Sequence, residues 1–355
     1  MKRLLFVLGL LLTSLSLSHC SDDDNATPNT PSETPDHALF VVNAGNYNSS
    51  NASLTLYDPS TGEARNEVFA TTNGFKLGDT AQSMTIHNNT GWVVVNNSHV
   101  VFALDLTTLK ERGRLTDIHS PRYISIISDQ KGYISHLWSN KLTIFNPQTC
   151  KVTGSITIPD MVAESGSTEE MVYQDGYLYV TCWSYHKRIV KIDTKTDTVV
   201  GEVEVGIQPT SLVADCNNKL WALCDGGYEG SPVGYEAPTL CRIDPKTMTV
   251  EKRYTFTKGD YISKVRINDE RNILYWLNGG ALYRMSINDD ALPSSTALDA
   301  DGYLYALSID PQTGDIYVAD AIDYQQQGIV YRYSAAGKII DSFYAGIIPT
   351  EFAWR

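Results

Sequence analysis

The sequence has few cysteines, little positive charge and no long apolar stretch after its first residues. Only 6 of the 355 residues are Cys, and no C-x-x-C spacing appears, which argues against a zinc site and against a disulfide framework. Lys and Arg number 28 against 41 Asp and Glu, and the resulting net charge of −13 disfavours nucleic acid as a partner. After the apolar run Leu4–Leu12, no segment is long enough to span a bilayer.

Common catalytic motifs are missing as well. The chain contains no G-x-S-x-G elbow, no P-loop and no H-E-x-x-H pair, and its seven His residues are scattered. The acidic pair Glu169-Glu170 is the exception, because two carboxylates at the start of a strand could bind calcium or act as acid and base. No second acid–base partner is placed opposite this pair, so we expect no metal, no cofactor and no catalysed reaction.

The first residues predict export. Lys2 and Arg3 precede the apolar run, and we interpret residues 1–19 as a signal peptide. Cys20 follows in a Leu-Ser-His-Cys run that resembles a bacterial lipobox, which predicts a lipidated Cys20; the alternative is an ordinary signal peptide that leaves a free Cys.

The segment after Cys20 predicts a surface tether. Ser21-Asp22-Asp23-Asp24 resembles the signal that sends lipoproteins of Bacteroidetes to the outer cell surface. Residues 20–36 as a whole are acidic and rich in Thr and Pro, and cannot bury enough apolar surface to offset the entropy of ordering. We predict a disordered tether, an outer-membrane location, and membrane contact through the lipid anchor only.

A unit of about 45 residues recurs seven times in the remainder of the chain. Each copy has a strand that ends in a polar turn residue, and successive turn residues are 41 to 51 positions apart. These residues are Asp58, Asp105, Asn146, Asp193, Asp244, Ser286 and Ser334. Strand patterning at this period predicts an all-β, seven-bladed β-propeller over residues 37–355.

Both ends of the propeller sequence are incomplete blades. Residues 38–69 supply a second strand (Leu39–Asn43), a third (Ser53–Tyr57) and a fourth (Ala64–Phe69), without a first strand before them. The segment 349–354 resembles a first strand with nothing after it. We predict that this C-terminal strand closes the first blade, which removes open sheet edges.

The pattern of loop lengths indicates which face of the propeller binds ligands. Turns after the first and third strands are short and polar, whereas the other loops are longer and rich in aromatic residues, which are typical binding side chains. The tryptophans in strand-like runs, Trp92, Trp221, Trp276 and Trp354, are instead expected to pack between blades. The loop residues that we predict to bind ligand are Tyr47, Trp138, Trp183, Tyr185, His186, Tyr228, Tyr235 and Tyr324.

The first residues of the inner strands should surround the central channel on the same face. This predicted ring consists of Gln82, Arg122, Glu170, Thr210, Tyr261, Tyr303 and Thr350. A mixed polar set with one cation and one acid suits hydrogen bonds to a neutral ligand that carries amides or hydroxyls.

Two cysteines flank the longest loop of this face. Cys224 and Cys241 end two strands that we expect to pair, and a disulfide between them would staple the loop. The alternative is that both are small buried hydrophobic residues.

Several segments resemble a known family. Val42-Asn43-Ala44-Gly45-Asn46, Gly78-Asp79-Thr80-Ala81-Gln82, Ser120-Pro121-Arg122 and Gln208-Pro209-Thr210 resemble surface propellers of Bacteroidetes of the YncE-like, DUF5074 class, and the similarity runs from about residue 38 to 355. Its BtuG-type lipoproteins capture cobalamin (vitamin B12) and sit over the TonB-dependent transporter BtuB. The resemblance implies a corrinoid-binding protein that hands its ligand to a BtuB-like transporter and catalyses no reaction.

Two other functions remain open at the level of sequence. A surface lipoprotein that binds a glycan or a protein would use the same exposed Tyr and Trp side chains. A propeller enzyme of the lactonase or lyase type would need a metal or an acid–base cluster in the channel.

Overall fold

Seven four-stranded antiparallel sheets form the fold in a computed structural model of the protein. The structure describes residues 34–300 and 302–355. Residues Thr34–Arg355 form one compact unit. The predicted signal peptide and Cys20, together with most of the predicted tether, lie outside the described residues.

The first four blades contain all strands up to residue 204, together with the C-terminal strand of the chain. Blade 1 combines the C-terminal strand β28 (Pro349–Trp354) with β1 (Leu39–Asn43), β2 (Ser53–Asp58) and β3 (Glu63–Arg65). Blade 2 consists of β4 (Ala81–His87), β5 (Thr90–Val95), β6 (Val100–Asp105) and β7 (Glu111–Leu115). Blade 3 consists of β8 (Pro121–Ser128), β9 (Lys131–His136), β10 (Lys141–Asn146) and β11 (Lys151–Thr157). Blade 4 consists of β12 (Thr168–Gln174), β13 (Tyr177–Cys182), β14 (Arg188–Asp193) and β15 (Thr198–Glu204).

The other three blades follow in the same strand order. Blade 5 consists of β16 (Pro209–Ala214), β17 (Leu220–Cys224), β18 (Thr239–Asp244) and β19 (Thr249–Thr255). Blade 6 consists of β20 (Ile262–Ile267), β21 (Ile273–Asn278), β22 (Ala281–Ser286) and β23 (Leu298–Asp299). Blade 7 consists of β24 (Leu304–Ile309), β25 (Ile316–Asp320), β26 (Gln327–Tyr333) and β27 (Ile339–Ile347).

The predicted seven-bladed propeller and its closure are both confirmed. Strand β28 pairs antiparallel with β1, in a register that places Phe40 opposite Ala353 and Leu39 opposite Trp354. The predicted turn residues also end the third strands, since β2, β6, β10, β14, β18 and β22 end at the residues expected from the repeat.

The outer strand predicted for blade 1 is wrong in part. Only Glu63–Arg65 pairs with β2, and Val68–Asn73 forms the short helix α1 where strand Ala64–Phe69 was expected. Glu67 at φ 56° turns the chain before the helix, and Gly74 at φ 78° ends it. Phe69 is buried by this turn and packs against Phe102 of blade 2, at a ring-centroid distance of 5.0 Å, so packing overrides the β-branched sequence.

The core lies between neighbouring blades. One cluster joins Phe40 and Leu54 of blade 1 to Val93 and Phe102 of blade 2, and the other blade interfaces are filled in the same way. Trp92, Trp221 and Trp276 are at most 1% exposed, as predicted. Trp354 is half-buried and packs edge-on against Tyr317 at 5.1 Å.

The hairpin turns after the first and third strands define the turn face, and the remaining loops define the mouth face. The N-terminal end of the described chain lies at the turn face, because the Thr34 carbonyl accepts a hydrogen bond from Arg355. The same guanidinium donates to the carbonyl of Leu106 and to the side chain of Asn89, which both belong to hairpin turns.

Candidate functional site

A bulge near the start of every inner strand determines which side chains point toward the channel. In each blade, the register between first and second strand shifts near the start of the first strand and skips one or two of its residues; blade 3 has a second shift between Ile126 and Ser128. A bulge of this kind re-aims side chains and is frequent beside binding sites. The skipped residues are Gln82, Arg122, Tyr123, Glu169, Glu170, Thr210, Lys264, Val265, Tyr305 and Thr350.

These bulged residues form the floor of a large cavity on the mouth face. The cavity has a volume of about 890 Å³, within the range expected for a ligand site. All seven blades contribute to its floor, through Gln82, Arg122, Tyr123, Glu169, Thr210, Lys264, Tyr305 and Thr350. A bulge in each blade therefore builds one continuous polar floor.

The ring predicted from sequence matches this floor in blades 1, 2, 3 and 5 and differs in the other three. Lys264 and Tyr305 occupy the floor positions at which Tyr261 and Tyr303 were expected, and Glu169 replaces Glu170. Tyr261 and Tyr303 precede their strands and are 71% and 64% exposed. Tyr261 still lines the cavity from above, whereas Tyr303 lies outside it.

Aromatic side chains form the wall of the cavity on the side of blades 3 to 5. Trp138 and Tyr185 follow the second strands of blades 3 and 4, and Trp183 lies beside Tyr185. Tyr228 and Tyr235 come from the loop 225–238 of blade 5, whose base is closed by a bridge between Gly227 and Tyr235.

Of the thirteen predicted ligand-binding residues, eight line the cavity and five do not. The eight that line it are Gln82, Arg122, Trp138, Trp183, Tyr185, Tyr228, Tyr235 and Tyr261. The five outside it are Tyr47, Glu170, His186, Tyr303 and Tyr324.

Three of these five form an exposed tyrosine patch beside the cavity. The rings of Tyr303 and Tyr324 lie 5.9 Å apart, and the side chain of Asn46 donates a hydrogen bond to the carbonyl of Tyr324. This bond brings Tyr47, which is 66% exposed, toward the same patch.

Glu170 and His186 form hydrogen bonds with other blades and do not line the cavity. The Glu170 carboxylate accepts hydrogen bonds from the backbone N–H of Leu212 and from Arg266. His186 lies in the β13–β14 turn, where its carbonyl accepts from the N–H of Gln208, and burial lowers the pKa of its imidazole.

Charges in the floor are paired with one another. Arg122 forms a bidentate pair with Glu169 at 2.9 Å, and its other nitrogen donates to Gln82 at 2.6 Å. Burial raises the pKa of the Glu169 carboxyl, and Arg122 opposes that rise. The Gln82 amide in turn donates to the hydroxyl of Tyr123.

Below the floor, Arg266 spans the channel. It donates to Glu170 of blade 4 at 3.0 Å and to Glu351 of blade 1 at 2.9 Å, although neither blade is adjacent to blade 6. Lys264 adds a second bond to Glu351 at 3.0 Å, and despite its burial the two cations lower the pKa of that carboxyl to about 2. Three cations and three carboxylates thus compensate one another around the channel.

Asp225 is a carboxylate of the cavity that sequence reasoning missed. It lies directly after strand β17, where its Oδ2 accepts a hydrogen bond from the Trp183 indole at 3.0 Å and its Oδ1 accepts one from the N–H of Gly227 at 2.8 Å. Burial raises the pKa of this carboxyl.

The other missed residues are those that the bulges place on the floor. A proline begins the inner strands β8, β16 and β28, and the residue after each proline, Arg122, Thr210 or Thr350, was correctly placed in the ring. The inner strands of blades 6 and 7 lack this proline, so the repeat offers no marker for Lys264 and Tyr305.

Of the two alternatives for Cys224 and Cys241, the structure shows the buried cysteines and not the disulfide. Cys224 and Cys241 are buried free thiols, because Cys224 pairs with Thr239 and Cys241 pairs with Ala222, which leaves the two cysteines diagonal to each other. They pack in the apolar interface between blades 4 and 5, and a hydrogen bond from Cys224 lowers the pKa of Cys241 to about 7.

Metal clusters and membrane-spanning helices are both absent from the part of the chain that the structure describes. No group of three or more His, Cys, Asp or Glu side chains there could hold a metal ion. Among the same residues, no helix has the length and apolarity needed to cross a membrane.

Comparison with known proteins identifies a family and a fold. The family model described as "Domain of unknown function (DUF5074)" matches residues 37–345. None of the curated proteins matches the sequence.

Solved structures resemble this fold at low sequence identity. A quinonprotein alcohol dehydrogenase-like protein from Bacteroides thetaiotaomicron is 16% identical, with a TM-score of 0.67 over 91% of this chain and 79% of that one. The periplasmic gluconolactonase PpgL of Pseudomonas aeruginosa is 10% identical, with a TM-score of 0.65 over 90% and 98%. The β-propeller domain of Cps50 (Swd1) from Myceliophteria thermophila is 10% identical, with a TM-score of 0.62 over 79% and 94%. These likenesses concern the fold alone.

Proposed function

The chain belongs to the DUF5074 family, and from that premise we propose that it captures a corrinoid such as cobalamin on its mouth face. One observation carries the proposal: a wide cavity of about 890 Å³ has an aromatic wall and a polar floor whose charges are already paired. A corrin is a large flat disc fringed with amides. The wall offers it stacking area, and the floor offers hydrogen bonds without a surplus cation that would favour phosphate.

Rigidity of the scaffold supports capture of a large ligand. The wall residues stand on turns between paired strands, and the floor residues belong to strands of seven separate sheets. A preformed site loses little free energy to ordering when the ligand binds. We infer binding without turnover, because Glu169, the floor carboxylate, is held by Arg122.

The proposed setting is the outer membrane. By its resemblance to surface lipoproteins, we propose that the chain is anchored through Cys20 and passes its ligand to a TonB-dependent transporter.

Calorimetric titration of the full chain with cyanocobalamin tests the proposal. We expect one-to-one binding with release of heat and a rise in Tm. A matched titration uses the axial base of the ligand without its corrin, which should bind much more weakly. Absence of heat and of a thermal shift with cyanocobalamin would contradict corrinoid capture.

A glycan is the second candidate ligand, and the exposed tyrosine patch of Tyr47, Tyr303 and Tyr324 favours it. Rings with hydroxyl tips outside the cavity could stack on successive sugars of a chain. Retention of the full chain on immobilised surface polysaccharide, lost in Tyr303→Ala, would support this alternative.

A further inference from the structure

Asp225 lines the cavity without a cation beside it, as does Asp260, but only Asp225 also holds an aromatic side chain of the wall, through the Trp183 indole. Glu169 is paired with Arg122, and Lys264 is paired with Glu351 below the floor. Across residues 34–300 and 302–355, none of the ion pairs includes Asp225. Burial raises the pKa of the Asp225 carboxyl, and the only groups that oppose this rise are two neutral donors, Trp183 and Gly227.

Hydrogen bonds orient the carboxylate and leave acceptor capacity unused. Each oxygen takes one donor, the Trp183 indole or the N–H of Gly227, although a carboxylate oxygen can accept two. The backbone N–H of Asp225 is fixed by the carbonyl of Gln208 at 3.1 Å. Asp225 and Trp183 both line the cavity, so a bound ligand can reach the free lone pairs.

We propose that Asp225 determines the specificity of the cavity by accepting a hydrogen bond from an amide N–H or a hydroxyl of the ligand and repelling a carboxylate at that place. The same side chain positions Trp183 through the indole N–H. This inference rests on the proposed function, because the amide or hydroxyl that Asp225 would recognise belongs to the proposed corrinoid ligand.

The physical basis is that an unpaired, partly buried anion interacts favourably with a hydrogen-bond donor and unfavourably with a second anion. A ligand donor compensates it, whereas a ligand carboxylate places two like charges together where little water can screen them. We expect a ligand in which the contacting amide is hydrolysed to the acid to bind at least about tenfold more weakly.

The selectivity test compares cyanocobalamin with the separated monocarboxylic acids obtained by hydrolysing single peripheral amides. In the wild-type full chain, at least one acid isomer should bind about tenfold or more weakly than the amide. Asp225→Asn should abolish most of that difference. The matched control is Glu229→Gln, which removes one charge from the same loop at an exposed position and should retain the discrimination.

The positioning test follows the indole itself and needs no ligand. Asp225→Ala should raise the acrylamide quenching of Trp183, measured as the difference from the same protein carrying Trp183→Phe. Asp225→Asn keeps one acceptor oxygen, so it should restore quenching close to the wild-type value although it does not restore selectivity. A Tm for each variant shows that the ring is folded, and Asp225→Asn decides the selectivity question even if Asp225→Ala does not fold.

Each outcome decides a separate statement. Equal binding of every acid isomer, or equal loss of discrimination in Glu229→Gln, would overturn the specificity role. Unchanged quenching in Asp225→Ala would overturn the positioning role. If wild-type protein binds no cyanocobalamin, corrinoid capture and the specificity role both fall, and the quenching experiment still decides whether Asp225 positions Trp183.

Discussion

Three aromatic residues of the mouth face have their backbone in the left-handed region. Trp138, Tyr185 and Tyr324 have φ values of 55°, 59° and 63°, and each follows the second strand of its blade. A bulky residue in this conformation carries strain on the order of 1–3 kcal/mol, which is typical of functional sites. Bulky side chains are therefore placed where Gly would be the easier residue.

Trp138→Gly should separate stability from binding. Glycine relieves the left-handed strain, which roughly offsets its own entropic cost of about 0.5–1 kcal/mol, so Tm should stay within a few degrees of wild type. Loss of a 50% exposed indole from the cavity wall should weaken ligand binding at least about tenfold. Thermal unfolding and calorimetry on the same samples check both statements; unchanged affinity would remove Trp138 from the site.

His136 should make the protein sensitive to mild acid. The imidazole is buried between Thr143 and the carbonyl of His119, and burial lowers its pKa from 6.5 to about 4. The unfolded chain therefore takes up this proton at a higher pH than the folded chain. Stability should be complete above pH 6.5 and fall between pH 6.5 and about 4, by up to about 1.4 kcal/mol per pH unit.

Urea unfolding between pH 4 and 8 measures this dependence. His136→Gln should flatten it in that window, whereas His87→Gln, at the partly exposed end of β4, should not. A wild-type profile that is flat from pH 4 to 6.5 would show that His136 titrates normally.

At the scale of elements, one strand closes the ring and one kind of irregularity builds the site. Strand β28 pairs with β1, and its Glu351 accepts hydrogen bonds from Arg266 and Lys264. The seven bulges occur at the same end of the inner strands, so their side chains meet around one channel.

Removal of residues 349–355 should destabilise the whole propeller. It leaves blade 1 with an exposed strand β1, opens the ring, and removes an anion that holds two cations of the channel. We expect Tm to fall by at least about 10 °C or the protein not to fold. Deletion of Arg355 alone keeps β28 intact and should have a much smaller effect; equal Tm values for wild type and the seven-residue truncation would refute closure by β28.

The whole molecule is braced across its centre by Arg266. This residue connects blade 6 to blades 4 and 1, which are not its neighbours, and all three side chains are mostly buried. Removing one partner of such a group leaves charges without compensation in a site of low polarity.

Arg266→Met should therefore cost about 3–5 kcal/mol of unfolding free energy. The comparison variant is Lys252→Met, which breaks a pair with the fully exposed Asp290 and should cause no measurable change. Chemical denaturation of both variants gives the two values. Equal costs would mean that the channel network contributes no more than a surface ion pair.

Strong acid should weaken the same network. The pKa of Glu351 lies at about 2 in the folded protein, below its ordinary value of 4.5, so its contribution is present above pH 4.5 and is lost as the pH falls from 4.5 toward 2. This window lies below that of His136. Glu351→Gln should lose the stability at neutral pH and show a smaller further loss in that acid range.

Local pattern was sufficient for the architecture. The seven turn residues, the alternation of apolar and polar positions, and the unpaired C-terminal strand led to the blade count, the strand order and the closure, all of which the structure confirms. The burial of Trp92, Trp221 and Trp276 could also be predicted, because strand residues of a propeller alternate between two packed faces. Helix α1 was missed, because Val68 and Phe69 carry strand propensity while the turn at Glu67 and contact with blade 2 select a helix.

The sequence by itself determined the fold, the mouth face and most of the aromatic wall, since these depend on periodicity and loop length. Only the tertiary structure decided which side chains form the floor. Each bulge adds one residue to the inner strand, and its position along the strand leaves no mark in the sequence, so Lys264, Tyr305 and Glu169 replaced the expected residues. Asp225 was hidden for a different reason: its contact with Trp183 joins positions 42 residues apart, and the packing of blade 4 against blade 5 brings them together.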